Sequence, residues 1–198
     1  MTTFRSTARQ FAVAAKALAL FTLLLGIAYP LLATTAAQAA FSYRASGSPV
    51  TVDGAAAGSA LLGQTFADGS GAALPEWFQS RPGTYDGAAS GGSNLGPSSP
   101  ELAAQVEERR QAVAALESVP AEAVPADALT ASASGLDPHI SPEYAYLQVV
   151  RVAEARELPE ARVRALVDDA VDGRTAGFLG EPTVNVLELN IALRELDT

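Results

Sequence analysis

The sequence predicts an α+β protein: one N-terminal transmembrane helix followed by a single extracytoplasmic domain with several helices and a small β-sheet. Three observations carry this. A run without charge extends from Ala17 to Tyr43. Between Pro100 and Val171 apolar residues recur at helical spacing behind recognisable caps, and before them short apolar stretches are separated by Gly-rich turns. The chain accordingly divides into a cytoplasmic N-terminus over 1–16, a transmembrane helix over 17–40 and an extracytoplasmic domain over 41–198.

The first element is the span. About 20 helical residues rising about 1.5 Å each cover a hydrocarbon layer of roughly 30 Å. Leu18, Leu20, Phe21, Leu23, Leu24, Leu25, Ile27, Leu31 and Leu32 are strongly apolar, and together they contribute roughly −4 kcal/mol to insertion. Pro30 removes one backbone hydrogen bond and predicts a kink, a defect tolerated where another helix packs against it. Arg5, Arg9 and Lys16 precede the run, and no acidic residue occurs before Asp53. That asymmetry keeps the N-terminus cytoplasmic. A rival reading stays open, because a basic start, an apolar block and the triplet Ala37, Gln38, Ala39 also suit a secretory signal. Cleavage after Ala39 would release a secreted binding module. Both readings place the remainder outside the cytoplasm.

Of the 198 residues, 155 follow Tyr43, enough for one domain with its own core. The chain has 13 basic and 22 acidic residues. Three of the basic ones precede the span, so the exported part sets 10 against 22, a net charge of −12. Such a surface argues against nucleic acid as a partner. There are no cysteines, which excludes disulfides and thiolate metal sites. His139 is the only histidine, so zinc chemistry and Ser-His-Asp catalysis would both depend on that residue.

Phe41 to Ser48 reads as the exit from the membrane, with Phe41 and Tyr43 at interfacial depth. Ser48–Val52 and Ala60–Phe66 are strand candidates around a turn from Asp53 to Gly58. After the Gly-rich loop Ala67–Pro75, Trp77 and Phe78 read as packing residues. Thr84–Pro97 is too rich in glycine for regular structure; its backbone amides could cradle an anion, but the Lys of a Walker sequence is missing. A helix over Pro100–Ser118 follows, started by a Ser98/Glu101 capping box or by Ser99 with Pro100 at the first position, and carrying Leu102, Val106, Val113 and Leu116 on one face. Pro120 and Pro125 turn the chain into an extended connector to Asp127. Leu129–Pro142 has neither period and reads as a specific loop around His139. Ser141, Pro142 and Glu143 start a helix reaching about Leu158. Pro159 and Glu160 begin another, whose Val163, Leu166, Val167, Ala170 and Val171 form a stripe ending before Gly173. The tail fits both periods, and the reading favours helix over Val186–Glu195 with Asn185 as cap.

Asp137, Pro138 and His139 place an acid near a base, yet neighbouring positions rarely aim at one point and no nucleophile accompanies them. The simpler reading is a loop held by Pro138 and by side-chain bonds from Ser134, Asp137 and His139 to backbone. Several segments resemble one known family: YPLL at Tyr29–Leu32, GSALLGQTF at Gly58–Phe66, Arg81-Pro82, SGGSNLGP at Ser90–Pro97, TASASGLDPHISP at Thr130–Pro142, QVVRVAEAR at Gln148–Arg156 and GEPTVNVLELNIAL at Gly180–Leu193. Together they make the chain similar to the KdpC family, the C subunits of Kdp potassium-transporting P-type ATPase complexes. Ala133 and the triplet Ser46, Gly47, Ser48 depart from the family pattern.

The resemblance implies an accessory, non-catalytic, single-span subunit of the cell membrane. Its partners would be the channel-like potassium-binding subunit KdpA, the P-type ATPase subunit KdpB and the small subunit KdpF. No cofactor of its own is implied, ATP and potassium being handled by those partners. A DKTGT-type phosphorylation sequence is missing from the chain. The resemblance further implies a contribution to ATP binding through Ser90, Gly91, Gly92 and Gln148, which the extracytoplasmic placement opposes. Asn94, Gly96, Asp137, Pro138 and His139 read as structural loop positions, and Gln148 as the polar side of an interface helix.

Replacing Leu24 by Arg is expected to abolish membrane retention, because a central arginine costs about 2.5 to 3.5 kcal/mol against the insertion energy above. Unchanged membrane fractionation would refute the span.

Overall fold

The computed structural model describes residues 2–196, with side chains from Thr7 onward, so the Arg5 side chain lies outside the described residues. Two units are distinguished, one up to Ser48 and one from Pro49.

The first unit is built of α1 (Thr2–Leu23), a widened π turn over Leu24–Ala28, and α2 (Tyr29–Ala45). Pro30 accounts for the widening. In a regular turn its ring meets the carbonyl of Gly26 four residues back; here the Tyr29 N–H reaches Leu24 O, which opens the turn under the proline. Thr7–Ala45 is long and apolar enough to cross a membrane, with a mean hydropathy of 2.2 in its most apolar stretch. The dihedrals leave the helical region at Phe41 (φ −144°, ψ 50°).

The second unit begins with a hairpin, β1 (Pro49–Val52) against β2 (Ala55–Ser59). The expected turn over Asp53–Gly58 and strand over Ala60–Phe66 are both corrected. Asp53 and Gly54 have φ of 52° and 78°, the pair of positive angles that a two-residue turn matched to strand twist requires. The strand therefore starts at once, in a stretch whose alanines suggested none. A bulge between Val50 and Thr51 absorbs one residue.

α3 spans Pro100–Glu117. Of the two starts considered, Ser99 is the cap, its hydroxyl accepting from Leu102 N. The expected extended connector contains two short 3-10 turns, Ala121–Ala123 and Ala126–Ala128. The long loop to Pro142 includes a two-residue strand, β3 (His139–Ile140). The helix expected from Ser141 to Leu158 divides at Gln148 into α4 (Pro142–Leu147) and α5 (Val149–Ala155), because the Gln148 N–H bonds to Ala145 O in a tighter turn. α6 spans Glu160–Ala170 and stops short of Gly173, since Val171 leaves the helix to pair with Val184. β4 (Val171–Asp172), β5 (Thr183–Asn185) and β3 form an antiparallel sheet in the order β3-β5-β4. α7 covers Val186–Glu195, and Asn185 caps it by accepting from Glu188 N.

α6 packs against both α5 and α7. Val152, Val163, Val167 and Leu193 are wholly buried there, together with Phe78 and Val184. Each such side chain contributes roughly 1.5 to 3 kcal/mol. The segment carrying Phe78 has no strand partner, so side chains satisfy its backbone. Asn190 accepts from Phe78 N and donates to Phe78 O, both at 2.9 Å. Gln148 accepts from Gln79 N at 2.6 Å and donates to Gln79 O at 3.2 Å.

Arg151 joins this segment to two helices. Its Nε lies 3.0 Å from both carboxylate oxygens of Glu117, Nη2 donates to Gln148 Oε1 at 2.9 Å, and Nη1 donates to Trp77 O at 3.1 Å and to Pro75 O. Arg156 adds a bond to Glu76 O and stacks 4.2 Å from the Trp77 ring centroid. Burial pushes the Glu117 carboxyl above its ordinary value of 4.5, outweighing the favourable effect of Arg151. A raised value means that this group's stabilising contribution is complete below about pH 4.5 and is lost as pH rises through the folded-state value.

Arg151→Met is expected to cost about 3 to 5 kcal/mol, since it strands a buried carboxylate and frees the carbonyls of Pro75 and Trp77. Adding Glu117→Leu should restore part of the loss in urea denaturation, and a double variant no more stable than the single would contradict the pair's role.

Candidate functional site

Two loops that lack regular structure converge in the second unit. Ser90 Oγ and Gly91 N donate to Ser134 O at 3.1 and 2.8 Å. Gly92 follows so closely that a Cβ there would sit 3.1 Å from Ala133 O. Asn94 adopts a left-handed conformation, φ 56°, and Gly96 O accepts from Ser99 N to begin the turn into α3. Between these loops and α3 lies a groove of about 350 Å³, lined by Gly92, Ser93, Asn94, Leu102, Gln105, Arg109 and residues 130–133. Arg109 is fixed in its wall by donating to Leu129 O at 3.0 Å.

A wider groove of about 560 Å³ shares Ser132 and Ala133 and continues over Leu61, Arg81, Leu136, Asp137, Pro138 and His139. The expectation that Asp137 and His139 do not aim at one point is corrected here. Asp137 Oδ1 accepts from His139 N at 3.1 Å, and this local turn brings His139 Nδ1 to 3.0 Å from the same oxygen. Arg81 Nη1 approaches the other carboxylate oxygen at 3.5 Å, while its Nε and Nη2 donate to Thr130 O. Pro138 O accepts from Val186 N at the start of α7, and Leu136 O from Gly63 N. Tyr85 donates to Arg81 O at 2.9 Å, and burial raises its phenol above the ordinary value. Asp137 thus ties this loop to Arg81 and Pro138 O ties it to α7, while the His139 contacts stay within the triplet.

Gln148 is placed differently. It is wholly buried, and its amide is divided between the Gln79 backbone and Arg151. It lines neither groove, so Ser90, Gly91 and Gly92 are gathered with Asn94 and with Ser134 but not with Gln148. Among the described residues, no group of three or more His, Asp or Glu could hold a metal ion. The polar residues that sequence reasoning missed are Arg81, Arg109, Glu117 and Arg151. None lies in a recognisable spacing; the three arginines gain their roles from carbonyls 20 to 76 residues away in the chain, and Glu117 from Arg151, 34 residues away.

The fold and its grooves define the class: an α+β domain behind a helix able to cross a membrane, with loops braced by charged side chains. The family description "K+-transporting ATPase, c chain" matches residues 11–195, and the chain belongs to this KdpC family. It is 53% identical over 174 residues to the potassium-transporting ATPase KdpC subunit of Kineococcus radiotolerans, covering 86% of this chain and 85% of the relative. The protein of the same name from Streptomyces coelicolor is 45% identical over 216 residues, 98% and 96% of the two chains. That from Sorangium cellulosum is 52% identical over 175 residues, 86% and 89% of the two chains.

Asp137→Ala is expected to lower stability by about 1 to 2 kcal/mol, as it removes the partner of Arg81 and of the His139 backbone. His139→Ala, losing one half-exposed contact, should cost about 1 kcal/mol or less by thermal unfolding. The reverse order would assign His139 a role beyond bracing.

Proposed function

We propose that this chain is an accessory, non-catalytic subunit of an ATP-driven potassium uptake complex and stabilises the assembly of its channel-like KdpA, P-type ATPase KdpB and small KdpF partners. The observation that carries the reading is the engagement of the chain's own polar groups. Gln148, Asp137, His139 and Arg151 all bond to backbone or to one another, so that their polar atoms brace the fold and, among the described residues, no nucleophile stands beside the Asp137–His139 pair. The names of the relatives place them in a potassium-transporting ATPase.

The helix over Thr7–Ala45 anchors the chain once in the cell membrane, and Arg9 and Lys16 at its start keep the N-terminus in the cytoplasm. The domain then lies on the side opposite to ATP. Nucleotide and potassium are handled by the partner subunits, and Gln148 serves the interior of the domain instead of a nucleotide. Ser90 and Gly91 tie two loops together.

Deleting residues 44–198 while keeping the span should sharply reduce recovery of the intact complex through a tag on the ATPase subunit, because one helix leaves little interface. Normal recovery with normal potassium-stimulated hydrolysis would overturn the assembly role.

A further inference from the structure

The connection between β4 and β5 holds a feature that the domain's own packing does not use. Asp172 pairs with Thr183, so residues 173–182 form the loop of a hairpin. Arg174 and Glu181 make an ion pair across its neck. Beyond the neck, Thr175 and Leu179 exchange backbone hydrogen bonds at 2.9 and 3.0 Å, and Gly177 N donates to Arg174 O at 2.9 Å. Ala176 and Gly177, with φ of 55° and 82°, reverse the chain inside this closed ring. The result is a braced tip on which Phe178 is 71% exposed and Leu179 54% exposed. Phe178 is the most exposed large apolar side chain described from Pro49 onward, whereas Phe78 is wholly buried. An ordered backbone that holds an aromatic ring in water is the preorganised half of a contact, since little ordering remains when a partner covers it.

We infer that this hairpin tip is a docking knob, inserting Phe178 and Leu179 into an apolar pocket with a basic rim on another protein subunit of the transport complex; the inference rests on the assembly role proposed above. Charge selects the kind of partner. Exposed Asp168, Asp169 and Asp172 precede the tip and Glu181 follows it. The single cation in this stretch, Arg174, is paired with Glu181. With four acids against one arginine, residues 168–181 carry a net charge of −3, which is repelled by anionic lipid headgroups but complements lysines or arginines around a protein pocket. The aromatic side chain supplies the contact area, and the acids supply orientation and partner choice.

The test uses the full chain in the assembled complex, with Phe178 replaced by photoreactive benzoylphenylalanine. Irradiation should give a covalent adduct with another subunit, identified by mass spectrometry. Adducts with lipid alone, or none, would overturn the inference. Separately, Phe178→Ala should raise the rate at which this chain dissociates from the detergent-purified complex about tenfold, as expected for losing an aromatic anchor. Phe178→Leu should restore most of the difference. An unchanged rate would overturn the inference, and if deletion of residues 44–198 still impairs recovery the assembly role survives. An adduct to a subunit whose recovery is insensitive to that deletion would support the knob and remove the assembly role.

Discussion

The second unit depends on the burial of Arg151. A guanidinium carries five N–H donors in a fixed fork and cannot shed its charge, so it is tolerated inside only where acceptors meet it from several directions. Here they come from the end of α3 through Glu117, from Gln148 one turn earlier, and from the carbonyls of Pro75 and Trp77. That requirement couples three pieces of chain with no sequential connection. α3 cannot shift along α5 without exposing a buried carboxylate to apolar surroundings, and residues 75–79 cannot leave without stranding the arginine.

The same physics explains how a domain with little sheet keeps long irregular segments ordered. Backbone amides and carbonyls removed from water need partners. In residues 76–79 those partners are Asn190, Gln148 and Arg156 instead of a neighbouring strand. In the loops around Asp137 they are Arg81, which meets Thr130 O and Ala131 O, and the hydroxyls of Ser132 and Ser134, with Pro138 O tied to Val186 N. The grooves between these loops are bounded by braced segments, held by the bonds from Ser90 and Gly91 to Ser134 O and from Arg109 to Leu129 O. Such bracing suits the assembly role proposed above, since an interface built on ordered surface loses less conformational freedom on association.

Much of the helical architecture was legible. Ser99, Ser141 and Asn185 cap α3, α4 and α7 as their residue types and positions indicate, because capping is decided within three or four residues. The stripe of Val163, Leu166, Val167 and Ala170 located α6 for a similar reason. The strands were harder. β3, β4 and β5 have two or three residues each, too few for an alternation to register, and β2 is an alanine run recruited by the Asp53-Gly54 turn. Val171 continues the helical stripe of α6 in sequence, yet it joins the sheet because Val184 offers it hydrogen bonds there. At the candidate site, glycine content and prolines marked both loops as special, but nothing local connected Ser90 with Ser134 or Arg81 with Asp137.

By itself, the amino-acid sequence determined what depends on composition and near neighbours: a helix apolar enough for a membrane, the starts of the main helices, an excess of acidic residues after that helix, and chemistry without thiols and with a single imidazole. Its similarity to the KdpC family also indicated the family to which the chain belongs. Only the tertiary structure decided where charge is buried, which loops share a groove, that Gln148 serves the core, and that Phe178 stands in solvent while Phe78 does not. The division follows from range. Caps, turns and periodicity are set within a few residues of one another, whereas the pairs Arg151 with Glu117, Gln148 with Gln79 and Asn190 with Phe78 join positions 34, 69 and 112 apart and exist only once the chain has closed on itself.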